Sequence, residues 1–167
     1  EIMLQHAMKL SPDNSDIAFL TAKMYELTNR QNKAIEVLQN TRKQSPEHVL
    51  TLYQLSEYYR QPSAAFDLEK AEELLLLIVE IVPGNVAAQM KQIELSIKNN
   101  HPKAALFSME TVRQILPVLP ADAVPIFNNA VQLLRKNNTN QSLVQALMFH
   151  NLLKSTTYYR SGTIELR

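Results

Sequence analysis

Residues 12–46 read PDNSDIAFLTAKMYELTNRQNKAIEVLQNTRKQSP, and this stretch decides the fold. It opens and closes on proline. Between the prolines lie two apolar-patterned segments joined by the polar residues 29–32. Ile17, Leu20, Met24 and Leu27 recur at helical spacing on the first segment. Ala34, Ile35, Leu38 and Thr41 do so on the second. Asp13 and Asn14 stand where a helix start needs a side-chain oxygen to accept from its free amides. Proline lacks an amide hydrogen, so it sits at least cost where one helix has ended and the next begins. The stretch predicts two helices joined by a tight turn, in a unit of 34 residues.

The same ruler continues along the chain. Pro46 and Pro83 are 37 residues apart, which is one unit plus three. Pro83 and Pro117 are again 34 apart. Val49, Leu52, Leu55 and Tyr59 carry the next helix, and Ala71, Leu75 and Ile78 the one over 68–82. Further helices are predicted over 85–98, 104–116, 122–135 and 141–154. Pro125 falls in a first turn, where four amides are free anyway. Residues 1–10 read as the second helix of a unit whose first helix is missing. With Glu1 in place of a starting methionine, this suggests a piece of a longer protein. The expected organisation is one helical-repeat domain over 1–155. Its units are about 15–48, 49–85, 86–119 and 120–155, preceded by a half-unit 1–12 and followed by a tail at 156–167. A helix pair cannot bury its apolar face alone, so units of this kind stack. An uncovered first helix would favour an end-to-end dimer.

Composition narrows the function. Of the 167 residues, 46% are hydrophobic and 20% charged, which suits one folded domain with a core. Only Gly84 and Gly162 supply glycine, too few for the turns of a sheet protein or for a phosphate-cradling loop. The net charge of +1 gives no field to draw nucleic acid. Cysteine is absent, which removes disulfides, thiol nucleophiles and thiolate metal sites. The longest apolar run, residues 74–79, is far short of a membrane span. No targeting segment is visible, and the compartment stays open, with bacterial cytoplasm and periplasm both compatible.

The pattern resembles the tetratricopeptide repeat (TPR) family. Ala18, Thr21, Ala22, Tyr25, Ala34, Leu38, Thr41 and Pro46 fall at the family's signature positions. Leu52, Leu55, Ser56, Tyr59, Ala71, Leu75, Ile78 and Pro83 do so after a three-residue insertion. Gln89, Gln92, Ile93, Ser96, Ala105, Met109, Val112 and Pro117 form a poorer third unit. Ile126, Ala130 and Ala146 are what the fourth keeps. The resemblance implies an all-α fold, a right-handed α-α superhelix of three to four helix pairs plus a leading half-repeat. It implies a protein-interaction scaffold whose groove holds a peptide, a helix or an adjoining domain. The segment from Phe149 to Leu153, with Tyr158, Tyr159, Arg160 and Gly162, is similar to the close of the repeat region in some large exported bacterial proteins. That suggests the alternative of a structural spacer or cap within a multidomain protein.

In such arrays the first helix of each pair lines the binding face. On this register Phe19, Tyr53, Met90 and Val124 form an outward apolar row. Lys23, Glu57, Glu94 and Asn128 form a second row, with Glu26, Arg60 and Ile97 between. An apolar row flanked by charges suits a peptide laid in a groove. The basic clamp that some of these repeats use for a carboxyl terminus is not expected here, because Glu57 and Glu94 would repel it. No enzyme chemistry, cofactor or metal is expected. His6, His48, His101 and His150 show no H-E-x-x-H-like spacing. Glu69, Glu72 and Glu73 read as a solvated helix start, where acids suit the dipole. Asn137-Asn138-Thr139 and Asn140-Gln141-Ser142 match the glycan acceptor triplet but read more simply as a turn.

Overall fold

The computed structural model describes residues 2–116 and 118–166, apart from the side chains of Gln5 and Met8. Glu1 and Pro117, the last mark of the proline ruler, lie outside the described residues. The described residues form ten α-helices and no strand. The chain divides into two compact units, residues 1–67 and 68–167. The division falls in the loop that carries the three-residue insertion. It lies inside the second predicted repeat, residues 49–85.

The first unit holds α1 (Ile2–Leu10), α2 (Ser15–Leu27), α3 (Gln31–Gln44) and α4 (Val49–Arg60). Asn14 caps α2, its Oδ1 accepting from the amides of Asp16 at 3.0 Å and Ile17 at 3.1 Å. The predicted stripe on α2 is corrected. Leu20 is 52% exposed and Leu27 87%, whereas Ala18, Phe19, Thr21 and Ala22 are buried. Small side chains form this face because α2 packs closely on α3. Ala34, Leu38 and Thr41 answer from α3, with no exposure above 3%.

The second unit holds α5 (Leu68–Ile81), α6 (Val86–Lys98), α7 (Pro102–Ile115), α8 (Ala123–Arg135), α9 (Thr139–Leu153) and α10 (Thr157–Glu165). Helix α6 is its centre and touches α5, α7, α9 and α10. Ten of its 13 residues are buried, which is what a helix covered on most sides requires. Ile93, Ala105, Met109, Val112, Ala130, Phe127, Phe149 and Leu153 join one core. Phe127 and Phe149 meet edge to face at 5.2 Å.

One turn recurs three times. Asn29, Asn100 and Asn137 each follow a helix with positive φ, at 56°, 61° and 55°. Asparagine tolerates this left-handed region better than most side chains. The next amide then reaches back five residues: Arg30 to the Tyr25 carbonyl, His101 to Ser96, and Asn138 to Leu133, all within 2.9 Å. Each turn joins the first helix of a predicted repeat to the second. The polar turns at 29–32 and 99–102 were expected, and the Asn-rich stretch at 137–140 is the same device. The second repeat lacks it, because residues 61–67 form a longer loop there.

Residues 156–167 were expected to lead away as a tail. Instead Thr157–Glu165 is a helix returned onto α6. The Asn85 amide donates to the Gly162 carbonyl at 3.0 Å and to Glu165 at 2.9 Å. Its Oδ1 accepts from the Ala88 amide at 2.9 Å, so one buried asparagine caps α6 and holds α10.

Candidate functional site

The eleven residues predicted to line a groove separate into buried, paired and open ones. Phe19, Met90 and Ile97 are 5%, 1% and 3% exposed, so they form core rather than an accessible row. Phe19 lies edge-on to the His48 ring. The expectation of an exposed apolar row fails at Phe19 and Met90, and Ile97, expected between the two rows, is buried as well, because each faces a neighbouring helix. In the first unit Lys23 pairs with Glu26 at 2.8 Å and donates to the Gln54 side-chain Oε1 at 3.2 Å. Beside them the Tyr58 phenol is buried, and burial, then the Glu26 carboxylate, push its pKa up to about 12. Glu57 pairs with Arg60 at 2.9 Å, and Tyr53 is half-buried. In the second unit Glu94 holds Lys98 at 2.6 Å. Val124 and Asn128 remain, and both are exposed.

These two lie in a groove between α7 and α8. On α8 the residues Val124, Phe127, Asn128, Val131 and Arg135 line it over successive turns. Helix α7 contributes Glu110, Arg113 and Gln114. Two openings of about 230 and 480 Å³ share Arg113 and Phe127 and so run together. The floor is apolar and fixed, since Phe127 is packed against Phe149. The Arg113 guanidinium lies 5.9 Å from the Phe127 ring centre. Arg135 and Glu110 meet at 3.4 Å on the rim, both more than half exposed. Such a pair is worth little and can exchange partners. Sequence reasoning found α8's part of the groove through the repeat register. It missed Arg113, because the second helix of a pair was not expected to line the binding face.

A second cluster sits where α5 meets the turn between α6 and α7. Glu72 was read as part of a solvated helix start, yet it is 2% exposed. Ser96 donates to its Oε1. Asn99 donates to Oε2 at 2.7 Å, and His101 Nδ1 lies 2.8 Å from the same oxygen. Asn99 also donates to the Leu68 carbonyl at 3.0 Å. One carboxylate therefore ties the start of α5 to the turn that closes α6. The signal in the sequence is Asn99 and His101 in a tight turn, but their pairing with Glu72 depends on how the helices stack. His150 is buried and bonds Tyr159 at 2.7 Å, a packing role.

The hydrogen bond from His101 to Glu72, then the Glu72 charge, raise the His101 pKa above its ordinary value. A raised folded pKa stabilises the fold below the unfolded value, about 6.5, and the effect is lost as pH rises through the folded value. His101 is half exposed, so the effect is small. The urea midpoint should be higher at pH 6 than at pH 8, and His101→Gln should remove that difference. A pH dependence unchanged by His101→Gln would contradict this assignment.

No protein-family model matches the chain, and no curated protein matches it in sequence. No described helix is long and apolar enough to cross a membrane.

Proposed function

We propose that the chain is a protein-interaction module of the tetratricopeptide type, a right-handed superhelix of helix pairs without catalytic chemistry. Its docking site is the groove between α7 and α8. The observation that carries this reading is the groove's construction. Phe127 and Val131, both buried, make a fixed apolar floor beneath the exposed Arg113, whose guanidinium lies over the Phe127 ring, and the exposed Val124 adds an apolar side chain open to solvent. An apolar floor flanked by cationic rims fits an amphipathic segment that brings apolar side chains and carboxylates together. Val124 to Arg135 spans three turns of helix, roughly 16 Å, so an occupant of about three helical turns matches its length.

The repeat reading is supported by the recurring asparagine turn and by close packing at small residues. Ala22, Ser56, Ala34, Ala71 and Ala105 have no exposed surface, as backbones in close approach require.

The test is selection from a displayed library of random 12-residue peptides against the folded protein. Enriched sequences should place apolar residues on one helical face beside Asp or Glu. Arg113→Glu should weaken their binding at least tenfold, roughly 1.4 kcal/mol. Arg113 is exposed, so this change spares the fold. Failure to enrich any sequence would favour a spacer or cap role. Enriched peptides indifferent to Arg113→Glu would remove this groove as the site.

A further inference from the structure

We propose that Glu69, Glu72 and His101 form a binding site for a divalent cation of the zinc class. This goes beyond the interaction reading and rests on different residues. Glu69 and Glu72 are three apart on α5 and share a face. His101 comes from a separate segment, the turn between α6 and α7. One ligand atom from each residue lies within 4.8 Å of the other two. The imidazole is what distinguishes this set from a patch of surface carboxylates.

The placement of each ligand is fixed locally. The His101 backbone is held by its amide on the Ser96 carbonyl at 2.7 Å. The Glu72 carboxylate is held by Ser96 and Asn99, which direct Oε2 toward the imidazole. Outer-shell donors of this kind orient a metal-binding carboxylate. Glu69 and His101 are exposed, and Glu69 carries no hydrogen bond or ion pair among the described residues. A cation and a water ligand therefore have an open approach. Two carboxylates and one imidazole suit zinc with a water in the fourth position. They suit calcium and magnesium poorly, because those ions demand more oxygen ligands.

The bound geometry requires the ligands to move, the exposed Glu69 carboxylate inward from a separation of up to 4.8 Å and His101 outward. Ligand atoms around a tetrahedral zinc sit about 3.3 Å apart for bonds of about 2.0–2.1 Å. Nδ1 and Oε2 are now 2.8 Å apart, so the half-exposed His101 side chain draws back by about half an ångström. The cation takes the place of the proton between those two atoms.

Isothermal titration of the whole protein with zinc chloride tests the site. One equivalent should bind, unaffected by excess magnesium. Glu69→Gln and His101→Ala should each weaken binding tenfold or more while the helical circular dichroism stays unchanged. Glu69→Gln is the cleaner variant, since Glu69 makes no hydrogen bond or ion pair among the described residues. His48→Ala should have no effect, although His48 also meets a carboxylate, Asp16 at 3.1 Å. Absence of saturable zinc uptake would overturn the proposal. So would uptake that survives both cluster variants, or that His48→Ala abolishes.

Discussion

Glu72→Ala should destabilise the protein by about 3 kcal/mol in urea unfolding. The carboxylate is buried and accepts from three side chains. Its removal leaves the Ser96 hydroxyl without an acceptor, and Ser96 is fully buried. Asn99 loses one of its two acceptors and keeps the Leu68 carbonyl, and a gap is left beneath α5. A buried donor without a partner costs about 1–3 kcal/mol, and the Ser96 hydroxyl together with the cavity reaches the stated size. Removing a buried charge recovers some desolvation energy, which keeps the figure from rising further. His101 contributes little to the loss because it is half in solvent. Glu72→Gln should cost nearly as much, because the new amide faces Ser96, Asn99 and His101 with donors of its own. Hydrogen exchange should quicken first at residues 99–101. A loss below 1 kcal/mol would show that Glu72 is not the tie between α5 and the turn.

Gly162→Ala should destabilise by about 1–3 kcal/mol, the reverse of the usual sign. Alanine in place of glycine inside an exposed helix ordinarily gains about 1 kcal/mol. Here an added Cβ would lie 2.6 Å from Asn85 Oδ1 and 3.2 Å from the Ala87 backbone nitrogen. Asn85 cannot yield without loss. Its Oδ1 caps α6 and its amide holds Gly162 and Glu165. Either α10 lifts away or the cap is broken. The expected signs are a lowered melting temperature and faster exchange over residues 157–165. Gly84→Ala serves as the control, since a Cβ there meets nothing within 4 Å. A Gly162→Ala protein as stable as the original would mean that α10 is not docked through this contact.

These two positions show where sequence reasoning stops. Helix positions followed from local signals: prolines at boundaries, asparagines in the turns, and small residues at the spacing of close packing. Ala22, Ala34, Ala71 and Ala105 are buried because a short-range pattern already encodes which face meets a neighbour. The α2 stripe was misread because Leu20 and Leu27 are large and apolar, yet the face that packs closely needs Ala18, Thr21 and Ala22. Glu72 shows the complementary error. Its acidic neighbours suggested solvent, and its true partners lie 24 to 29 residues away. Gly162 gave no local sign either, since its partner is 77 residues distant. The groove was half visible. Val124 and Asn128 followed from the repeat register, while Arg113 needed the packing of α7 on α8.

The most direct test is to titrate the 15N-labelled protein with a selected acidic amphipathic peptide and map the amide shifts. Binding in the groove should perturb α7 around Glu110, Arg113 and Gln114, and α8 around Val124, Phe127 and Val131. Perturbations centred on α2 and α4, or on no contiguous surface, would contradict an interaction module built around this groove.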